Sequence, residues 1–146
     1  MKNLFSYLLL LATFCLIGCG DDVEPDFMTA TINGDSFSAI SVMDLINASG
    51  DEELVFILGT QTTDGVSIGL NIITSIGTGS FIVQPDDLSF TFTSGPSAFL
   101  TAGTLVLTTN DTNESVLEGS FDFVATDVSD PANVFNITNG QFRVSY

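Results

Sequence analysis

The sequence predicts an all-β fold: an antiparallel β-sandwich or barrel of about nine to ten short strands. Three observations predict it. Apolar residues alternate with period two in several segments, as half-buried strands require. Turn residues recur between these segments at roughly 8–12-residue spacing. No amphipathic helical stretch of any length is found beyond the N-terminal apolar run.

Taken in order, Phe27-Met28-Thr29-Ala30-Thr31-Ile32 is β-branched and aromatic and is followed by Asn33-Gly34. That dipeptide favours positive φ at both turn positions, the strongest short hairpin signal, and Ser36-Phe37-Ser38-Ala39 supplies the returning strand. Residues 40–49 fit neither period cleanly and form the one segment with helical potential. Leu54-Val55-Phe56-Ile57-Leu58 is an unbroken apolar run typical of a buried strand, and Thr60 to Gly65 is polar and turn-like. Val66-Ser67-Ile68-Gly69-Leu70-Asn71-Ile72 alternates as a half-buried strand. Gly77-Thr78-Gly79 opens the strand Ser80-Phe81-Ile82-Val83, with no helix pattern or nearby cation to make it a phosphate cradle. Pro85-Asp86-Asp87 is a turn, and Leu88-Ser89-Phe90-Thr91-Phe92 is a further alternating strand. Residues 104–109 run into the polar loop 110–114. Residues 116–117 and 120–125 form the next extended stretch. Residues 134–137, Asn139-Gly140 and residues 142–146 read as a closing strand or hairpin.

The N-terminus differs in kind. Lys2 gives one positive charge, residues 4–17 are uncharged and mostly apolar, and Leu16-Ile17-Gly18-Cys19 closes the run. The run is short for a membrane span, which needs roughly 20 apolar residues. Charged start, short apolar centre and small residue before the cut form an export signal. The final four residues resemble the processing box of bacterial lipoproteins, in which the Cys is lipidated and becomes the first residue. The resemblance implies a signal peptide over 1–18, an acidic flexible tether over 19–26 and a single β-rich domain over 27–146. Gly20-Asp21-Asp22-Val23-Glu24-Pro25-Asp26 has little to bury. Directly after the lipidated Cys, it resembles the surface-export signal of Bacteroidetes lipoproteins, with Asp21, Asp22 and Glu24 as its acids. A solvated spacer on a periplasm-facing protein is the alternative.

Removing residues 1–18 leaves 128 residues, about one domain, with Arg143 as the one cation against 18 acids: a formal charge of −17. Cys19 is then the sole Cys, so no disulfide holds the fold. The core comes from apolar burial, with all but Phe5 and Phe14 of the 13 Phe retained. Such acidity excludes nucleic acid as a partner, because its binding needs Lys and Arg at the phosphates. It also opposes direct contact with anionic lipid, so membrane attachment falls to the acyl chains.

Three segments carry a family resemblance: residues 27–39, Gly119-Ser120-Phe121-Asp122-Phe123-Val124-Ala125, and Ile137-Thr138-Asn139-Gly140-Gln141-Phe142-Arg143-Val144-Ser145-Tyr146. They resemble the opening and ending of a group of small, uncharacterised Bacteroidetes lipoproteins. The resemblance implies a β-rich secreted domain and carries no functional residues across.

The chemistry is defined by absences. The mature chain has no His, no Lys, no Trp and no free Cys. Ser-His, Cys-His and Schiff-base mechanisms lack a base or nucleophile, and a Cys/His zinc site cannot be built. Carboxylate pairs suited to glycoside hydrolysis are Asp51-Glu52-Glu53, Asp86-Asp87 and Glu114 with Glu118, all in turns or at strand ends. Calcium is the one ion with suitable ligands: Asp111, Asn113 and Glu114 in one loop, Asp127 and Asp130 in another, neither at EF-hand spacing. Arg143 alternates away from Phe142 and Val144, which places it in a surface ion pair. The expectation is therefore a non-enzymatic, lipid-anchored binding or accessory module without a cofactor, at the outer membrane or cell surface, contacting a glycan or envelope protein. The alternative is a structural or adhesion module acting through divalent cations on its acidic surface.

Overall fold

The computed structural model describes residues 24–39, 41–49, 52–61, 65–83 and 98–146. The expected signal peptide, Cys19, Asp21, Asp22, and the expected turn at 85–87 and strand at 88–92 lie outside these residues. The described chain is all-β, with nine strands and no helix: β1 (Phe27–Ile32), β2 (Asp35–Ser38), β3 (Ser41–Ser49), β4 (Glu52–Thr60), β5 (Ser67–Ile73), β6 (Gly79–Val83), β7 (Ala98–Asp111), β8 (Val116–Asp127) and β9 (Val134–Ser145). Six form an antiparallel sheet in the order β2-β1-β9-β8-β7-β6, and three form a second sheet, β3-β4-β5. Both sheets contribute to one hydrophobic core, from Met28 and Phe37 through Val55, Ile57, Ile68 and Leu70 to Phe121, Phe142 and Val144.

The first hairpin forms as its sequence dictates. Asn33 and Gly34 both have positive φ, 52° and 95°, and Ile32 pairs with Asp35 across them. The turn is also tied to β9, because the Asn136 backbone N–H donates to Asn33 Oδ1 at 2.8 Å and the Asn33 N–H donates to the Asn136 carbonyl at 2.9 Å.

Two expectations are corrected, and of the closing strand or hairpin expected over residues 134–146 the structure has the strand. Residues 41–49 are a strand, not a helix, paired with β4 along their whole length from Ser41↔Thr60 to Ser49↔Glu52. The apolar run of β4 needs ladder partners on both edges, and that tertiary demand overrides a weak local pattern. The β5 strand is buried on both faces rather than one: Ile68, Leu70 and Ile72 enter the core, while Ser67 and Gly69 on the other face are also covered. Gly69 permits this, since the Phe56 ring lies where its side chain would project. Finally, Asn139-Gly140 makes no hairpin turn. β9 is continuous, and Asn139 takes φ 53° inside a β-bulge where the pairing steps from Phe121↔Gly140 to Phe123↔Ile137. The extra residue keeps Ile137 and Phe142 both facing the core. The Asn139 N–H donates to Asp122 Oδ1 at 2.9 Å.

Three cross-strand Phe–Gly pairs fasten the large sheet: Phe123 opposite Gly103, Phe142 opposite Gly119 and Phe121 opposite Gly140. Each ring occupies the space over its glycine, and a Cβ at any of the three would collide with that ring. Phe121 stacks on Phe123 at 5.0 Å and tilts against Phe142 at 6.3 Å. The three rings form a continuous aromatic stripe across β8 and β9, supporting the two longest stretches of ladder.

Candidate functional site

Arg143 meets four polar residues, Glu24, Asp26, Glu118 and Ser145, where the expected tether joins the sheet. Alternation in β9 sends Phe142 and Val144 inward and Arg143 outward. Ladder register places Glu118 of β8 beside it and Phe27 of β1 on its other side. A bulge in β7 between Leu107 and Thr109 brings Thr109 opposite Glu118.

Arg143 Nε donates to Glu118 Oε1 at 3.0 Å, and Thr109 Oγ1 donates to Glu118 Oε2 at 2.7 Å. Arg143 Nη1 donates to the Glu24 carbonyl at 2.6 Å and to Ser145 Oγ at 3.2 Å. Glu24 Oε2 lies 3.5 Å from Nε and Asp26 Oδ1 3.7 Å from Nη1. Asp26 Oδ1 also accepts from the Ser145 N–H at 2.8 Å. The Arg143 side chain is only 11% exposed. It is an ion pair, as its acidic surroundings imply, but a covered one rather than a surface one. The last residues of the expected tether, Glu24 and Asp26, are fastened to the sheet by it.

A groove of about 320 Å³ lies beside this cluster, lined in part by Phe27, Glu118, Ser120, Gln141 and Arg143. Three carboxylates around one guanidinium leave it no net attraction for an anion. Hydroxyl and amide groups beside an aromatic edge suit a neutral hydrogen-bonding ligand.

The oxygen-rich loops lie at opposite ends of β8. Asp111, Asn113 and Glu114 stay together in the β7–β8 turn, where Asp111 Oδ1 accepts the N–H groups of Asn113 and Glu114 at 2.9 and 3.1 Å. Asp127 and Asp130 sit in the β8–β9 connection. Among the described residues no group of three or more Asp, Glu, Cys or His is placed to hold a metal ion. Of the carboxylate pairs, Glu114 is exposed in its turn while both oxygens of Glu118 are engaged; Asp51, Asp86 and Asp87 lie outside the described residues.

Asp127 is buried and acts as a brace. Its Oδ1 accepts from Ser129 N and Ser129 Oγ, both at 2.7 Å, and from Asp130 N at 3.3 Å, while Oδ2 accepts from Asn133 Nδ2 at 3.2 Å. The Ser129 hydroxyl, more than any other partner, holds its pKa below the ordinary aspartate value of 3.8. Asp111 is lowered too, chiefly by the Glu114 N–H. A carboxyl whose pKa falls on folding adds stability above its unfolded value and loses it as pH drops through the folded one. The stability of Asp127→Asn, measured by urea unfolding, is therefore expected to fall less than that of the native chain on acidification below about pH 4. The comparison cancels the relief of self-repulsion that acid brings to both proteins. Parallel pH profiles would refute the brace.

Sequence reasoning did not find Asp26, Ser145 or Thr109, nor the pairing of Glu118 with Arg143. Alternation put Arg143 on the outer face, but 18 acids offered no signal for choosing its partners, and the bulge that delivers Thr109 leaves no mark in composition. No family model, no curated protein and no solved structure matches the chain.

Proposed function

We propose that this chain is a lipid-anchored lipoprotein of a bacterial cell envelope, held at the outer membrane with its domain at the cell surface, and working as a non-enzymatic binding or accessory module. The observation that carries the reading is Leu16-Ile17-Gly18-Cys19 at the end of a short apolar run. Strong acidity supports it, because a chain of −17 needs acyl chains to stay on an anionic surface. So does the position of β1, whose first residue, Phe27, comes shortly after the proposed anchor in the chain. The proposal includes kinship with the small Bacteroidetes lipoproteins that residues 27–39, 119–125 and 137–146 resemble. The groove beside Arg143, with Ser120 and Gln141 in its lining next to Phe27, is the place such a module would hold a glycan or a segment of an envelope protein.

Cys19→Ser is expected to abolish incorporation of labelled palmitate and to release the protein from the membrane fraction, with the domain still folded. Recovery of Cys19→Ser in the membrane fraction would sink the anchor. Replacing Asp21 and Asp22 with Ala, leaving Glu24 to its Arg143 contact, is expected to protect the domain from protease added to whole cells while acylation continues. Unchanged cleavage would remove the surface-export reading and leave the periplasm-facing one.

A further inference from the structure

Arg143 fixes more than a local contact. Glu24 is held through its carbonyl and its carboxylate, and Asp26 is bonded to the Ser145 N–H. The chain running from Cys19 therefore meets its first fixed point on the sheet at Glu24 instead of at β1. From Cys19 to Glu24 a fully extended chain reaches about 17 Å, whereas from Cys19 to Phe27 it would reach about 28 Å.

The clamp sits at one end of the large sheet. Glu118, which pairs with Arg143, is two residues from the start of β8 at Val116, so the clamp adjoins the β7–β8 turn. The other end of β8, at Asp127, carries the braced β8–β9 connection. The 12 residues of β8 separate the two ends by about 40 Å. With Glu24 confined to about 17 Å from the acylated residue, less than the length of β8, the domain can lie on its side but cannot stand inverted on its far end.

We infer that, in the anchored protein, the end of the domain bearing the β7–β8 turn, with Asp111, Asn113 and Glu114, is the surface that faces the bilayer, and the end bearing the β8–β9 connection is held away from it. This rests on the lipid-anchor reading above. It also assigns a role to the exposed apolar residues of the far end. Phe99, Val128 and Val134 are 46%, 60% and 40% exposed, and Phe99 and Val134 flank Thr126 across the ladder. In this orientation they point away from lipid and are not a membrane contact.

The experiment uses the full-length protein, acylated in cells and reconstituted into phosphatidylethanolamine–phosphatidylglycerol vesicles that carry a nitroxide-labelled lipid. Once Cys19 is acylated no free thiol remains, so Thr112→Cys and Ala132→Cys, both at exposed positions, each give one site for a fluorophore. Position 112 is expected to be quenched several-fold more strongly than position 132. Glu24→Gln combined with Asp26→Asn, which loosens the clamp and leaves the core intact, is expected to narrow that difference. Vesicle-bound protein quenched equally at both positions would overturn the orientation alone. An undiminished difference in the double variant would overturn the part assigned to the clamp. Protein that does not bind vesicles at all would overturn the anchor reading and the orientation with it.

Discussion

Phe121→Ala is expected to cost about 3–5 kcal/mol, the range for removing a buried aromatic side chain. The residue is 1% exposed, stacks on Phe123, contacts Phe142 and covers Gly140. Deleting the ring removes apolar burial and leaves a cavity, because Gly140 has no side chain to fill the space and the neighbouring rings are fixed by their own glycines. A domain of ordinary stability holds about 5–15 kcal/mol in total, so this one change removes roughly a fifth of it or more. The check is the urea midpoint of the chain from Gly20 onward, with an unchanged slope showing that stability alone moved. Phe121→Leu should fall between the two. Ile82→Ser, at a position 81% exposed, should stay within about 0.5 kcal/mol of the native chain. If Phe121→Ala were no worse than Ile82→Ser, the aromatic stripe would not be the centre of the core.

Arg143→Gln is expected to cost about 1.5–3 kcal/mol, the range for hydrogen bonds to charged groups. The figure stays below that of a fully buried pair because Glu24, Asp26 and Glu118 keep 76%, 31% and 33% of their side-chain surface in water, where solvent screens them. Arg143→Lys should recover only part of the loss, since an ammonium lacks the planar fork that serves Glu118 and the Glu24 carbonyl together. The diagnostic readout is salt. Without the guanidinium three carboxylates face one another, so added salt should stabilise Arg143→Gln more than the native chain. An equal salt response in both proteins would mean that the arginine contributes packing and not charge.

Strand-by-strand legibility depended on what each segment needed from elsewhere. The Asn33-Gly34 hairpin was fully readable, because its turn conformation is a property of two adjacent residues. Alternation in 142–146 correctly set Arg143 opposite to Phe142 and Val144, which are buried. Segment 40–49 was unreadable as a strand, since its reason for being one lies in the free edge of β4. Asn139-Gly140 carries the same dipeptide as Asn33-Gly34 yet forms a bulge. Its flanking residues are held by β1 and β8 on both sides, and a hairpin there would break both ladders.

The sequence by itself determined the class of fold and the absence of His, Lys and Cys after Cys19, because period, turn residues and composition are local properties. It also placed Arg143 on the outer face of its strand. Only the tertiary structure decided which acids surround that arginine, which strands lie side by side in two sheets over one core, and where Glu24 is held. Those outcomes depend on register between residues more than a hundred positions apart, such as Glu24 and Arg143, whose 2.6 Å contact exists only once β1 has paired with β9.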